Sequence, residues 1–330
     1  MLKKLIIPFI FLLFSCEREI YIDSVNVEYE LVVNALIQPG ENDSLLLSRT
    51  YSYYTDSRSV SDASVIVSYK GDTIGRYIEK SKGTYFYEGN SFQEGKDYLL
   101  SVCHPNFNDV TANTTVPVVP DFRFGTYPIN GEKVKQYFKG DIMKMEADIQ
   151  VLLELDDDEN TNNYYMITSA STFEFIFKVG FPEERDSIVA YTDLAKINSK
   201  SSIVEIIYHG TSYQFAQNNI DWESVYSVCE YELIFSDKLF NGQKLLIPLD
   251  VKINGQRDTG HVFHLTLTSI SEEYYQMLRS LTASDKSENG FFPEALQVYG
   301  NVHNGHGLWA AKSSKTITLD ISELDLFNYE

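Results

Sequence analysis

Ala147-Asp148-Ile149-Gln150-Val151-Leu152-Leu153-Glu154-Leu155 decides the fold class. Ala147, Ile149, Val151, Leu153 and Leu155 recur with period two, so they share one face of a β-strand. The same pattern repeats along the chain. Leu245, Ile247, Leu249, Val251 and Ile253 alternate in this way. Pro248 points the other way and suggests an edge strand, because proline has no N–H to give a ladder. Val65, Val67 and Tyr69 form a third stripe, Phe263, Leu265 and Leu267 a fourth, and Ile317, Leu319 and Ile321 a fifth. Asn-Gly pairs supply the positive φ angles of tight hairpins, and they occur at Asn130-Gly131, Asn241-Gly242, Asn254-Gly255, Asn289-Gly290 and Asn304-Gly305. Gly71-Asp72 reads as a further turn.

One segment has the helical period. Tyr274, Met277, Leu278 and Leu281 fall at i, i+3, i+4 and i+7, behind Ser271 as a cap and Glu272 and Glu273 in the first turn. This predicts a helix closing near Ser284. Val116-Pro117-Val118-Val119-Pro120 marks a boundary, since two prolines deny an extended piece its ladder donors. The expected architecture is mainly β. An immunoglobulin-like β-sandwich spans 25–117, and a larger β-rich domain with one or two short helices spans 118–330.

The 330 residues carry 27 Lys+Arg against 47 Asp+Glu, a formal charge of −20. That balance argues against nucleic acid, whose phosphates need clustered cations, and against electrostatic docking on anionic lipid. The opening Met1–Cys16 reads differently from the rest. Lys3 and Lys4 precede an apolar run Leu5–Phe14, which is shorter than the roughly 20 residues of a membrane span. Leu13-Phe14-Ser15-Cys16 resembles a lipobox, the cleavage site of bacterial lipoproteins. On that reading residues 1–15 are a signal peptide, Cys16 is acylated, and 16–24 form a tether to the outer membrane. Glu17-Arg18-Glu19 resembles a surface-export signal, which places the body outside the cell.

Candidate sites are few. Asp156, Asp158 and Asn160 have the alternate spacing of a calcium loop, but the Gly and Glu that such a loop needs are replaced by Thr161 and Ile167. The reading is a solvated turn, with Asp156 and Asp158 as marginal ligands. His303 and His306 flank Asn304-Gly305. A two-residue hairpin there sets them face to face, yet two ligands fall short of a zinc site. No metal or other cofactor is expected. Asp-Ser/Thr-apolar triplets resemble an O-glycosylation signal at Ser24, Ser44, Thr73 and Ser187. Cys103 and Cys229 are either bonded or separate small core residues. Loop aromatics at Tyr51, Tyr53 and Tyr54, at Tyr164 and Tyr165, and at Phe291 and Phe292 read equally as contact surface or as core. No nucleophile, base and orienter assemble into a catalytic set.

Several pieces carry a family resemblance. They are the lipobox, Leu31–Ile37, Asp62–Val65, Tyr98–Val102, Asn163-Tyr164-Tyr165, Phe235–Gly242 and Gly300–Trp309. Their order and spacing resemble the Bacteroidetes lipoprotein family known as domain of unknown function 4249. The most specific piece is the last, where the pattern is Asn-apolar-x-x-Gly-x-Gly-apolar-aromatic. The resemblance implies an outer-membrane lipoprotein, often encoded beside a TonB-dependent receptor, with no catalytic residues to transfer. The expected function is a non-enzymatic accessory or ligand-binding partner of such a transporter in nutrient uptake. The alternative is a free-standing adhesin or glycan- or matrix-binding lipoprotein.

Overall fold

The computed structural model describes residues 29–41, 43–50, 58–125, 130–139, 142–177, 187–199, 201, 205–207, 232–255, 261–288 and 297–322. Strands dominate, in two sheets. Seven strands form the N-terminal unit: β1 (Leu31–Ile37), β2 (Ser44–Arg49), β3 (Ser64–Tyr69), β4 (Asp72–Ser81), β5 (Thr84–Gly89), β6 (Asp97–Cys103) and β7 (Val110–Thr115). Beyond the linker come β8 (Phe122–Phe124), β9 (Asn130–Lys139), β10 (Ile142–Asp156), β11 (Tyr164–Phe177), β12 (Ser187–Leu194), β13 (Lys196–Asn198), β14 (Glu205–Ile207) and β15 (Glu232–Ser236). A 3-10 turn at Asp237–Leu239 precedes β16 (Lys244–Gly255) and β17 (His261–Ile270). The helix α1 (Glu272–Glu288) and β18 (His306–Asp320) follow.

The larger sheet runs β14-β15-β11-β17-β18-β1-β2-β5-β4-β3-β6-β7, with β12 on the flank of β11. The smaller runs β13-β16-β10-β8, with β9 on β10. Both long stripes face inward. Every named residue of Ala147–Leu155 and Leu245–Ile253 is buried in one core with Ile167, Phe235, Phe263, Leu265 and Leu267. That core lies between the smaller sheet and the C-terminal half of the larger one. The helix covers the opposite face of the latter. Met277, Leu278 and Leu281 pack there on Met166, Ile234, Ile270, Leu308 and Ala310, as the helical stripe predicts. The helix starts at the predicted position and runs four residues past Ser284.

β18 joins the two units. Its first residues, His306–Ala311, pair in parallel with Val32–Ile37 of β1. Its remainder, Lys312–Asp320, pairs antiparallel with β17. Trp309 and Ala311 are therefore buried in the N-terminal core, against residues such as Val33, Tyr77 and Val102. On the far side, His303 bridges Thr111 of β7 through both backbone groups, at 2.8 and 3.3 Å. Asn301 reinforces this seam. Its Nδ2 donates to the carbonyls of Asn113 and Trp309, both at 2.8 Å, and its Oδ1 accepts the Trp309 N–H at 3.0 Å. The sandwich expected for 25–117 thus takes its closing strand from residues far beyond that boundary.

Glycine makes the seam geometrically possible. Gly307 sits at φ +99°, and a Cβ there would lie 2.0 Å from the Val33 carbonyl oxygen. At Gly305 it would lie 2.7 Å from the Leu31 oxygen, and at Gly300 2.4 Å from the Gly307 oxygen. Gly307→Ala therefore combines left-handed strain of about 1–3 kcal/mol with a backbone clash. We expect a loss of about 3 kcal/mol or more. Urea unfolding followed by tryptophan emission checks this, and an unchanged midpoint rejects the close approach.

Some local expectations shift. The β3–β4 turn is Lys70-Gly71, with φ of 51° and 90°, one residue before Gly71-Asp72. Asn130-Gly131 begins β9 and Asn254-Gly255 ends β16, so both belong to strands rather than to a connection alone. Asn289-Gly290 lies outside the described residues. β16 is not an edge strand, because β10 and β13 flank it. Pro248 is tolerated since the β13 pairing stops at Asp250, and the Ser199 hydroxyl donates to the Pro248 carbonyl at 2.8 Å.

Candidate ligand cleft on the glycine seam

The family-like segments meet in space. Asn163 N–H donates to Asp237 Oδ2 at 2.6 Å, and the Tyr165 and Phe235 rings lie 5.2 Å apart. Gly242 N–H donates to Asp157 Oδ2 at 2.9 Å, and the Tyr165 hydroxyl to Asp157 Oδ1 at 2.5 Å. Leu31–Ile37 and Gly300–Trp309 meet as the β1–β18 seam. These contacts are joints. One of them also lines a large opening.

A cleft of about 670 Å³ lies over the seam, between β1, β2 and α1. Leu46, Met277, Leu281 and Leu308 give it apolar walls, and Gly300, Gly305 and Gly307 give it a flat backbone surface. Val298 and Tyr299 are partly exposed in its lining. The Tyr299 N–H donates to Ser280 Oγ at 2.8 Å, which ties this segment to the helix. Burial, then Glu273 and Glu272, push the Tyr299 phenol up, so it remains a neutral hydrogen-bonding group. Asn34, Gln297 and His306 add polar groups. His306 Nε2 lies 2.5 Å from Glu30 Oε2. Volume, apolar walls and a few polar groups suit a small organic ligand.

The predicted positions distribute as follows. Cys16, the 16–24 tether, Ser24 and Cys229 lie outside the described residues, as do Tyr51, Tyr53, Tyr54, Phe291 and Phe292. Thr73 is exposed just after the β3–β4 turn, whereas Ser44 is half-buried in β2 opposite Phe86. Ser187 begins β12 opposite Phe177. Cys103 ends β6 as an exposed thiol, pushed up by burial and by Asp109.

His303 and His306 do not form a two-residue hairpin pair. The backbone of His303 bridges Thr111, and His306 pairs in register with Val32. The reason is that the parallel β1–β18 contact takes up His306 while β7 takes up His303. Asp158 accepts from Asn160 N–H at 3.1 Å and from its Nδ2 at 2.8 Å, which holds its carboxyl below the usual range. Asp156 N–H donates to the Asp121 carbonyl. Among the described residues no three His, Cys, Asp or Glu stand close enough to hold a metal ion.

Of these aromatics, Tyr165 is core, and Tyr164 packs on Tyr275 in a tilted arrangement with centroids 4.6 Å apart. The sequence singles out His306 and Gly300–Trp309 without marking them as the lining of a cleft. A signal existed in Leu45-Leu46-Leu47 and Leu308-Trp309-Ala310-Ala311, unbroken apolar runs that mark strands covered on both faces.

No helix among the described residues is long and apolar enough to cross a membrane. No curated protein matches the chain. A family model does: residues 17–318 match the family described as Domain of unknown function (DUF4249), and the chain belongs to it.

Proposed function

We propose that this chain is a lipid-anchored outer-membrane protein that binds a small organic ligand without transforming it and serves a TonB-dependent transporter. The single observation that carries the binding role is the 670 Å³ cleft, because the glycines that permit the strand seam also line it. The tether rests on Leu13-Phe14-Ser15-Cys16 at the head of the chain. Acyl chains on Cys16 anchor the body at the membrane, where a transporter's mouth is within reach. No catalytic part is assigned to any residue.

Affinity purification of the tagged, lipidated chain from detergent-solubilised outer membranes, with mass spectrometry, tests the partnership. A stoichiometric TonB-dependent barrel is expected. Cys16→Ser should shift the protein into the soluble fraction and abolish fatty-acid labelling. Recovery of the wild-type chain alone, with positive surface labelling, sinks the transporter role and favours a free-standing glycan- or matrix-binding lipoprotein.

A further inference from the structure

A second cleft, of about 370 Å³, lies at the junction of the two units. The Val116–Pro120 linker forms one side, and the start of β11, the end of β17 and the start of α1 form the other. Asp158, Glu272 and Glu273 line it, and no Lys, Arg or His is found among the described residues that do. A bare helix N-terminus attracts anions. Here the first two helical positions are carboxylates, which reverse the sign of the local field. Ser271 already caps this end. Its Oγ accepts from Tyr274 N–H at 3.5 Å and Ala311 N–H at 3.3 Å.

Acidity alone makes no site. The independent observation is Ser269, which lines the cleft, is only 1% exposed, and has an Oγ with no hydrogen-bond partner among the described residues. An unpaired buried hydroxyl is unfavourable, and a ligand donor relieves it. The carboxylates do not converge as a metal ion requires. They line a cleft of about 370 Å³, which has room for a flat organic cation.

We propose that the junction cleft binds a guanidinium group of the kind an arginine side chain carries. Guanidinium presents five N–H donors in a rigid planar fork, so it reaches several separated acceptors at once. Glu272, Glu273 and Asp158 supply the charge, and Ser269 Oγ supplies a neutral acceptor. Glu273 Oε2 is held by the Thr114 hydroxyl at 3.1 Å, which fixes one carboxylate in advance.

The test uses the full chain in neutral detergent, titrated calorimetrically with N-acetyl-argininamide and with N-acetyl-citrullinamide. The citrulline probe keeps the shape and loses the charge. The arginine probe is expected to bind saturably, at least about tenfold tighter than the citrulline probe. The double variant Glu272→Gln/Glu273→Gln should lose about tenfold or more of that affinity, and Ser269→Ala several-fold. Equal binding of the two probes by the wild-type chain overturns the proposal. So does unchanged affinity in a double variant whose urea unfolding stays cooperative. Should that variant not fold, the probe pair on the wild-type chain decides alone.

Discussion

A fragment covering residues 25–117 will not fold on its own. It should show no cooperative urea transition, although it contains all of β1–β7. Cutting there removes Trp309 and Ala311 from the N-terminal core, where both are fully buried. It strips the parallel partner from Val32–Ile37 and leaves that edge of β1 unpaired. It also frees the Thr111 backbone and the Asn113 carbonyl on β7, which His303 and Asn301 otherwise satisfy. Emptying a buried Trp site costs about 3–5 kcal/mol. Each lost hydrogen bond adds about 1 kcal/mol. Small domains have about 5–15 kcal/mol in total, so the losses are of the size of the whole stability. A rescue separates this cause from mere truncation. Fusing residues 297–313 to the fragment through a flexible linker should restore a cooperative transition, and Trp309→Ala in that fusion should remove it again. A 25–117 fragment that unfolds cooperatively by itself would defeat the argument.

Alternation in Ala147–Leu155 and Leu245–Ile253 is a local property, so the strands and their buried faces could be read directly. The helix stripe Tyr274–Leu281 was equally local. Its end was not, because Ala283–Glu288 contains no residue that forbids a helix. The β1–β18 seam joins residues that are hundreds of positions apart, and no nearby residue announces a parallel partner. Only the double-sided apolar runs at Leu45–Leu47 and Leu308–Ala311 hinted that something covers both faces. The Asn304-Gly305 pair illustrates the opposite error. Its turn chemistry is real, with Asn304 at φ 59°, but the flanking histidines pair with other strands. Turn residues define the local bend, and long-range pairing decides what the bend connects.

The segments that carry the family resemblance can be read the same way. Gly300, Gly305 and Gly307 each sit where a side chain would strike a backbone oxygen. Asn301 holds three hydrogen bonds across two strands. Asp237 and Asp157 fix the loop before β11 to the turn before β16 through backbone N–H groups. Such residues are demanded by geometry. They explain how short motifs can be demanded by the geometry of a fold. They also direct the search for binding to the clefts beside the joints.

Raising the pH from 4 to 8 will weaken the protein through Asp43, and Asp43→Asn will remove that loss. Asp43 stands immediately before β2 and is 5% exposed. Its Oδ1 accepts the Gln38 N–H at 3.2 Å and its carbonyl accepts the Tyr87 N–H at 2.9 Å. Its Oδ2 has no hydrogen-bond partner among the described residues. Burial pushes the Asp43 carboxyl up to about 7. The Gln38 N–H and Lys312 act in the opposite direction, Glu41 acts with burial, and burial wins. The unfolded carboxyl titrates near 3.8. Between these values the folded state holds more protons than the unfolded one, so stability falls as pH rises through the window. It is fully retained below about pH 4 and levels off above about pH 7. A shift of about three units corresponds to at most about 4 kcal/mol, and relaxation around the charge brings the expectation to about 2–4 kcal/mol. Asparagine keeps the acceptor for Gln38 and never ionises. The variant should therefore match the wild type near pH 4 and exceed it by that amount at pH 8. Urea midpoints of both proteins across this range isolate Asp43 from every other carboxylate, because those cancel in the difference. A difference that stays flat from pH 4 to pH 8 would show that the carboxyl is not buried as the structure places it.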